Sequence, residues 1–217
     1  MRVGPTRALA IVVGVVAVLA SPCPTTAQNV SPDPLSVRMP DDAAGVDVKA
    51  VVAIAIRLGV PLGFEEAGAL AERVRGPIRS SVVRERPIVS VRPTPLDVRG
   101  VPLRQALDAV ITKDRRYAWS MLDGVVVIRP VAAWRDRDHP LLRSATAADL
   151  DAAGLSRDFD GTVFDAVNTA VRAHAALQWS LRSEVSTVFL DRGRAVTVSR
   201  PMLSLSGPAG SREFPLR

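Results

Sequence analysis

The chain has 217 residues, 47% of them apolar and only 4% aromatic, with a formal net charge of +6. Lys49 and Lys113 are its only lysines, and the arginines are scattered among acids with few aromatics between them, which excludes a built nucleic-acid surface and reads as a GC-rich coding bias. Cys23 is the one cysteine, so no disulfide framework is available.

The first 27 residues read as an export signal. Arg2 and Arg7 are its positive region, residues 8–20 are an apolar run too short to span a bilayer, and Thr25-Thr26-Ala27 is a small-residue cleavage site. Cleavage is expected before Gln28; an uncleaved anchor is the alternative. A lipoprotein is disfavoured because Pro22 precedes Cys23 where a small residue is required. Cleavage removes the only thiol and lowers the charge to +4. About 190 residues remain, enough for one domain, or one domain with an appendage, held by its core alone.

Residues 28–34 are a polar leader with a chance glycosylation sequon at Asn29. A strand is expected at 35–39. Asp47 then caps a helix whose apolar residues are Val48, Val51, Val52, Ala55 and Leu58, widened by Ile54 and Ile56, so burial on more than one side is expected. Gly59 ends it, and 62–65 is a strand. Residues 66–82 read as an exposed connection with a helical turn at 67–74, and 88–91 as a further strand.

Residues 96–130 carry the clearest pattern. A strand at 96–99 precedes Pro102, suited to the first helical position, and then Leu103, Ala106, Leu107, Val110 and Ile111 share one helical face. Two strands, 117–122 and 125–128, flank Asp123-Gly124, a strong hairpin signal. After a bridging segment at 131–157, residues 158–201 repeat this unit. A shift of 60 lays Leu103, Ala106, Leu107 and Ile111 on Val163, Ala166, Val167 and Val171, and Trp119-Ser120 on Trp179-Ser180. A shift of 71 lays 125–130 on 196–201. The tail, 202–217, is expected to be disordered.

The order of these elements over about 35–130, with V-R-G-V-P-L-R-Q-A-L-D-A-V, an aromatic strand and D-G-V-V-V-I, resembles the short N-terminal domain shared by secretins and TonB-dependent transducers. That resemblance implies a small two-helix α+β module working in the bacterial periplasm through protein–protein contact. The chain departs from both protein types, since nothing after Pro201 reads as a pore or barrel.

The residues offer little chemistry. His139 closes Arg135-Asp136-Arg137-Asp138-His139, where the arginines would repel a cation bound by Asp136, Asp138 and the imidazole, so a solvated, self-paired loop is expected. His174, on or beside the apolar stripe of the last helix, reads as structural. Asp41-Asp42 and Asp149/Asp151 read as helix-start or loop acids, and no nucleophile or phosphate-binding motif is present. Trp119 shares a strand face with Tyr117 and Met121, which places it and its counterpart Trp179 in the core; a ligand-stacking platform is the alternative. Trp134 lies in the bridge, where it could pack the repeat onto the first module.

The expectation is therefore an α+β protein: a two-helix mixed-sheet module followed by a third β-α-β-β unit beside or onto it. It would act as a periplasmic or secreted, non-enzymatic assembly module with no catalytic, metal or cofactor residues. Its partner would be an envelope protein, met by strand addition or helix-face contact on a sheet lacking a covering third layer, with no nucleic acid and no membrane span after cleavage. The alternatives are an envelope-polymer binding module for peptidoglycan or another glycan, and a hydrolase with a cryptic acid pair.

Overall fold

The structure, a computed structural model, describes residues 33–70, 73–75, 96–174, 176–190, 194–214 and 216. The signal, most of the leader and the strand expected at 88–91 lie outside the described residues.

Helix α1 (Val48–Arg57) starts where the Asp47 carboxylate accepts the Ala50 N–H. It ends in a Schellman turn: Gly59 sits at φ 72°, its N–H donates to the Ile56 carbonyl, and the Val60 N–H reaches Ala55. Strand β1 (Leu62–Glu65) follows, then a turn closed by the Ala69 N–H on the Glu66 carbonyl, and β2 (Arg73–Arg75), where a helical turn was expected. Helix α2 (Leu103–Lys113) begins one residue later than expected, with Pro102 at its N-cap. Strands β3 (Tyr117–Leu122) and β4 (Val125–Pro130) join through Asp123 and Gly124 at φ 49° and 85°, both positive as a type I′ turn demands.

Two expected strands do not form. Pro34–Ser36 is a 3-10 turn, and 35–39 and 96–99 contribute only the isolated bridges Arg38–Pro102 and Val46–Leu96. Gly100, at φ 67°, turns the chain so that Met39 and Gly100 bond across an irregular crossing instead of a ladder.

The bridging segment is structured: α3 (Val131–Arg135), a 3-10 turn at Pro140–Leu142, and α4 (Ala147–Ala153). Helix α5 (Val163–Ala173) leads to β5 (Gln178–Leu190), β6 (Arg194–Gly207) and β7 (Gly210–Phe214). The tail expected to be disordered thus completes β6 and supplies β7, whose Phe214 is buried opposite Leu203. The sequence there is polar because Phe214 alone of β7 is buried; Gly210 to Glu213 are exposed.

One mixed sheet runs β2-β6-β5-β1-β4-β3, with β7 also on β6. The central β1 lies parallel to both β4 and β5; the other pairings are antiparallel. Helices α1 and α2 cover one face, over Leu62, Phe64, Val126, Ile128 and Tyr117. Helices α4 and α5 cover the other, over Val125, Val127, Trp179, Leu181 and Leu203. The expectation of a sheet without a third layer is therefore corrected: the second unit shares the sheet of the first and places its helix on the opposite face. That explains the unbroken apolar run Val125–Ile128, which is buried from both sides.

The two units correspond closely. Helices α2 and α5 start 60 residues apart and have equal length. Trp119 donates its indole N–H to Asp108 and Trp179 donates to Asn168, each bond at 2.9 Å and each spanning eleven residues. Trp119 lies on the edge strand and is half-buried, whereas Trp179 lies beside β1 and is fully buried.

Helix α4 is fixed by the fully buried Asp149. Its carboxylate accepts from the Thr146 N–H and hydroxyl, and takes the Arg143 guanidinium at 2.6 and 2.8 Å. Burial alone would raise its pKa; the Arg143 and Thr146 hydrogen bonds outweigh that and hold it below the usual carboxylate value. A depressed carboxylate contributes stability above its unfolded pKa and loses it as pH falls through the folded one. Asp149→Asn is expected to cost about 1–3 kcal/mol at neutral pH and to flatten the acid limb of a stability-versus-pH curve measured by urea unfolding. An unchanged acid limb would refute the assignment.

Candidate functional site

The described surface offers one extended recognition feature, the far half of β5. Strands β5 and β6 form an unbroken hairpin register from Gln178–Ser206 to Leu190–Arg194, without a bulge. Strand β1 flanks only residues 178–181 of β5, and the Glu66 N–H caps that pairing by donating to the Leu181 carbonyl at 2.8 Å. Beyond it, among the described residues, nothing pairs with the outer edge of β5. Because backbone groups alternate sides along a strand, Ser183, Val185, Thr187 and Phe189 share the outward direction of Leu181. They present four N–H and four C=O groups along an edge of roughly 20 Å.

The opposite edge of the hairpin is blunted. β7 covers β6 from Leu203 to Gly207, and β2 covers Thr197 to Ser199. Pro201, in the gap, lies opposite Ser183, where the ladder needs no N–H from it. On β5 the edge carries no proline, and Val185 is 65% exposed. Sheets usually protect such an edge.

A second feature is buried. The Glu65 carboxylate on β1 receives Arg129 Nε of β4 at 2.7 Å and stands 3.0 Å from His139 Nε2. All three residues are at most 3% exposed. His139 Nδ1 accepts the Leu141 N–H, so the hydrogen-bond pattern assigns the proton to Nε2, which donates to Glu65. The Arg129 guanidinium lies 5.3 Å from the Trp134 ring centre and 5.1 Å from that of Phe164, and its Nη2 has no hydrogen-bond partner. With the carboxylate holding Arg129 Nε and the imidazole, and all three side chains closed from solvent, the cluster is a clamp between β1, β4 and the bridging segment.

His139 is thus not in a solvated loop; it turns inward under β1, while Asp136 and Asp138 remain exposed. His174 is exposed at the end of α5. The two acid pairs stand on opposite sides of the sheet: Asp42 pairs with Arg57 of α1 at 2.8 Å, and Asp149 caps α4. Among the described residues no three acidic, histidine or cysteine side chains group as a metal site, and no helix is long and apolar enough to cross a membrane. Burial of Trp179 removes it as a stacking platform. Trp134 donates its indole N–H to the Ala118 carbonyl at 3.3 Å and packs in the second core, joining the bridge to β3.

No protein-family model, curated protein or solved structure matches this chain.

Proposed function

We propose that this chain is an exported envelope protein, built on a module like the short N-terminal domain of secretins and TonB-dependent transducers, that captures an extended segment of a partner protein along β5. It acts by assembly rather than by catalysis. The observation that carries the reading is the outer edge of β5 from Ser183 to Phe189, unpaired among the described residues, on a hairpin whose other edge is partly covered by β2 and β7. Strand addition gives such a site affinity through main-chain hydrogen bonds and specificity through alternate side chains. The sequence pattern of residues 1–27, which reads as an export signal, supports an encounter in the periplasm or outside the cell.

Val185→Pro tests it. Proline there removes an outward N–H and leaves the β5–β6 ladder intact. In a cross-linking pull-down from the envelope fraction, the partner enriched by the native protein is expected to be lost with Val185→Pro, while thermal unfolding stays close to native. In the complex, amide exchange should slow at Ser183, Val185, Thr187 and Phe189 and change little at the residues between them. Equal capture by the proline variant, or exchange protection elsewhere only, overturns the reading.

A further inference from the structure

A groove of about 300 Å³ runs between α1 and the side of β5 that no helix among the described residues covers. Helices α1 and α2 extend only over β1, β3 and β4, so the first core contains no residue of β5 or β6. On that side β5 presents Gln178, Ser180 and Arg182, with Ser206 of β6 beside them, while the wall is the apolar flank of α1 at Val52, Ala53 and Ile56. The lining is amphipathic: hydroxyls, an amide and a guanidinium below, aliphatic carbon beside.

Two features narrow the occupant. The first is hydrogen bonding. Residues 178–181 of β5 are laddered on both sides, by β1 and β6, so the floor has no free main chain and recognises a ligand through side chains alone. A peptide lying there would leave its own amides largely unsatisfied. A sugar ring meets hydroxyl and amide side chains with its hydroxyls and lays its C–H face on aliphatic carbon. Ser180 bonds Ser204 and Ser206 bonds Ser211, each pair at 3.1 Å, and each paired hydroxyl keeps further hydrogen-bonding capacity.

The second is charge. Lys49, at the lining, is neutralised by Glu66, whose hydrogen bond raises the lysine pKa. Arg182 and Gln178 have no side-chain partner among the described residues. Among the described residues the groove therefore keeps one uncommitted cation, and a guanidinium is matched in shape and charge by a carboxylate.

We infer that this groove binds a sugar ring bearing a carboxylate, with the carboxylate on Arg182, the hydroxyls on Gln178, Ser180 and Ser206, and the ring face against Ala53 and Ile56. Two sources share that chemistry: the muramic acid of cell-wall glycan stripped of its stem peptide, which frees the lactyl carboxylate, and the uronic acids of acidic polysaccharides. This site is separate from the strand edge and does not depend on it.

The purified protein is titrated by calorimetry with three probes: an N-acetylglucosamine–N-acetylmuramic acid disaccharide, digalacturonate, and neutral chitobiose. Saturable binding of the muramyl probe or of the uronate probe is expected, with chitobiose markedly weaker, and the probe that binds names the source. Arg182→Gln is expected to weaken binding about tenfold or more. Ala53→Phe, at an exposed helix position, should fill the groove and abolish binding with unfolding unchanged. Val185→Pro should leave sugar binding intact, which separates this site from strand capture. Absence of binding by both acidic probes, equal binding of chitobiose, or binding unaffected by both groove variants overturns the inference.

Discussion

Glu65→Leu is expected to destabilise the protein by about 3–5 kcal/mol, because it leaves the Arg129 guanidinium buried without its counter-ion. The residue is 3% exposed and its carboxylate holds both Arg129 and His139, so no solvent is at hand to replace it. Two aromatic faces at 5.1 and 5.3 Å soften the charge of Arg129 but do not neutralise it. Arg129→Met is expected to cost a similar amount, since it strands the carboxylate. The pair Glu65→Gln with Arg129→Met removes both charges and keeps an amide oxygen to accept from His139. That double variant should recover at least half of the loss. Urea unfolding of the native protein, Glu65→Gln, Arg129→Met and the double variant closes a mutant cycle and gives the coupling directly. If the two single changes simply add, the cluster is not a clamp.

Why this cluster escaped the sequence is a matter of layers. The fragment Leu62-Gly63-Phe64-Glu65 alternates as a strand with one wet face does, and its apolar residues do meet the first core. Glu65 becomes interior only because α5, a hundred residues later, lays a second helical layer over the other face. His139 is hidden in the same way, since Arg135 to Asp138 are as exposed as their charges suggest and the ring alone turns in. The signal was the run Val125-Val126-Val127-Ile128, which has no polar alternation and so demands apolar neighbours on both faces. Elements set by local chemistry were legible: the Asp47 cap and Gly59 stop of α1, the Asp123-Gly124 turn, and the equal stripes of α2 and α5. Strands at 35–39 and 96–99 were misread because alternation over four or five residues cannot report a missing partner. The edge of β5 beyond Leu181, unpaired among the described residues, was unreadable for the converse reason: where β1 stops is a fact about β1.

The closest packing in the sheet gives the second large effect. A Cβ built on Gly63 would stand 2.1 Å from Trp179 Cε2 and 2.2 Å from its Nε1, well inside any real contact. The indole cannot swing aside freely. It is fully buried, bonded to Asn168 at 2.9 Å, and met edge-on by Phe164 with ring centres 5.8 Å apart. Gly63→Ala must therefore push the ring out of place and break that hydrogen bond, at a cost of about 2–4 kcal/mol from overpacking and the lost bond together. Trp179→Leu removes the obstruction and leaves a cavity, costing about 3–5 kcal/mol, the range for truncating a large core aromatic. In the Trp179→Leu background the methyl of Gly63→Ala enters vacated space, so its own cost should fall below about 1 kcal/mol. A reference is internal to the chain: Trp119 occupies the same position of the first unit on an edge strand and is half-buried. Trp119→Leu should accordingly cost much less than Trp179→Leu, although each indole donates to its helix at 2.9 Å, to the Asp108 carboxylate and the Asn168 amide oxygen. Equal losses at the two tryptophans would mean that the helix bond sets the energetics. Unequal losses, with Gly63→Ala rescued only by Trp179→Leu, would place them in the contact between β1 and β5, where the repeated unit is locked onto the first.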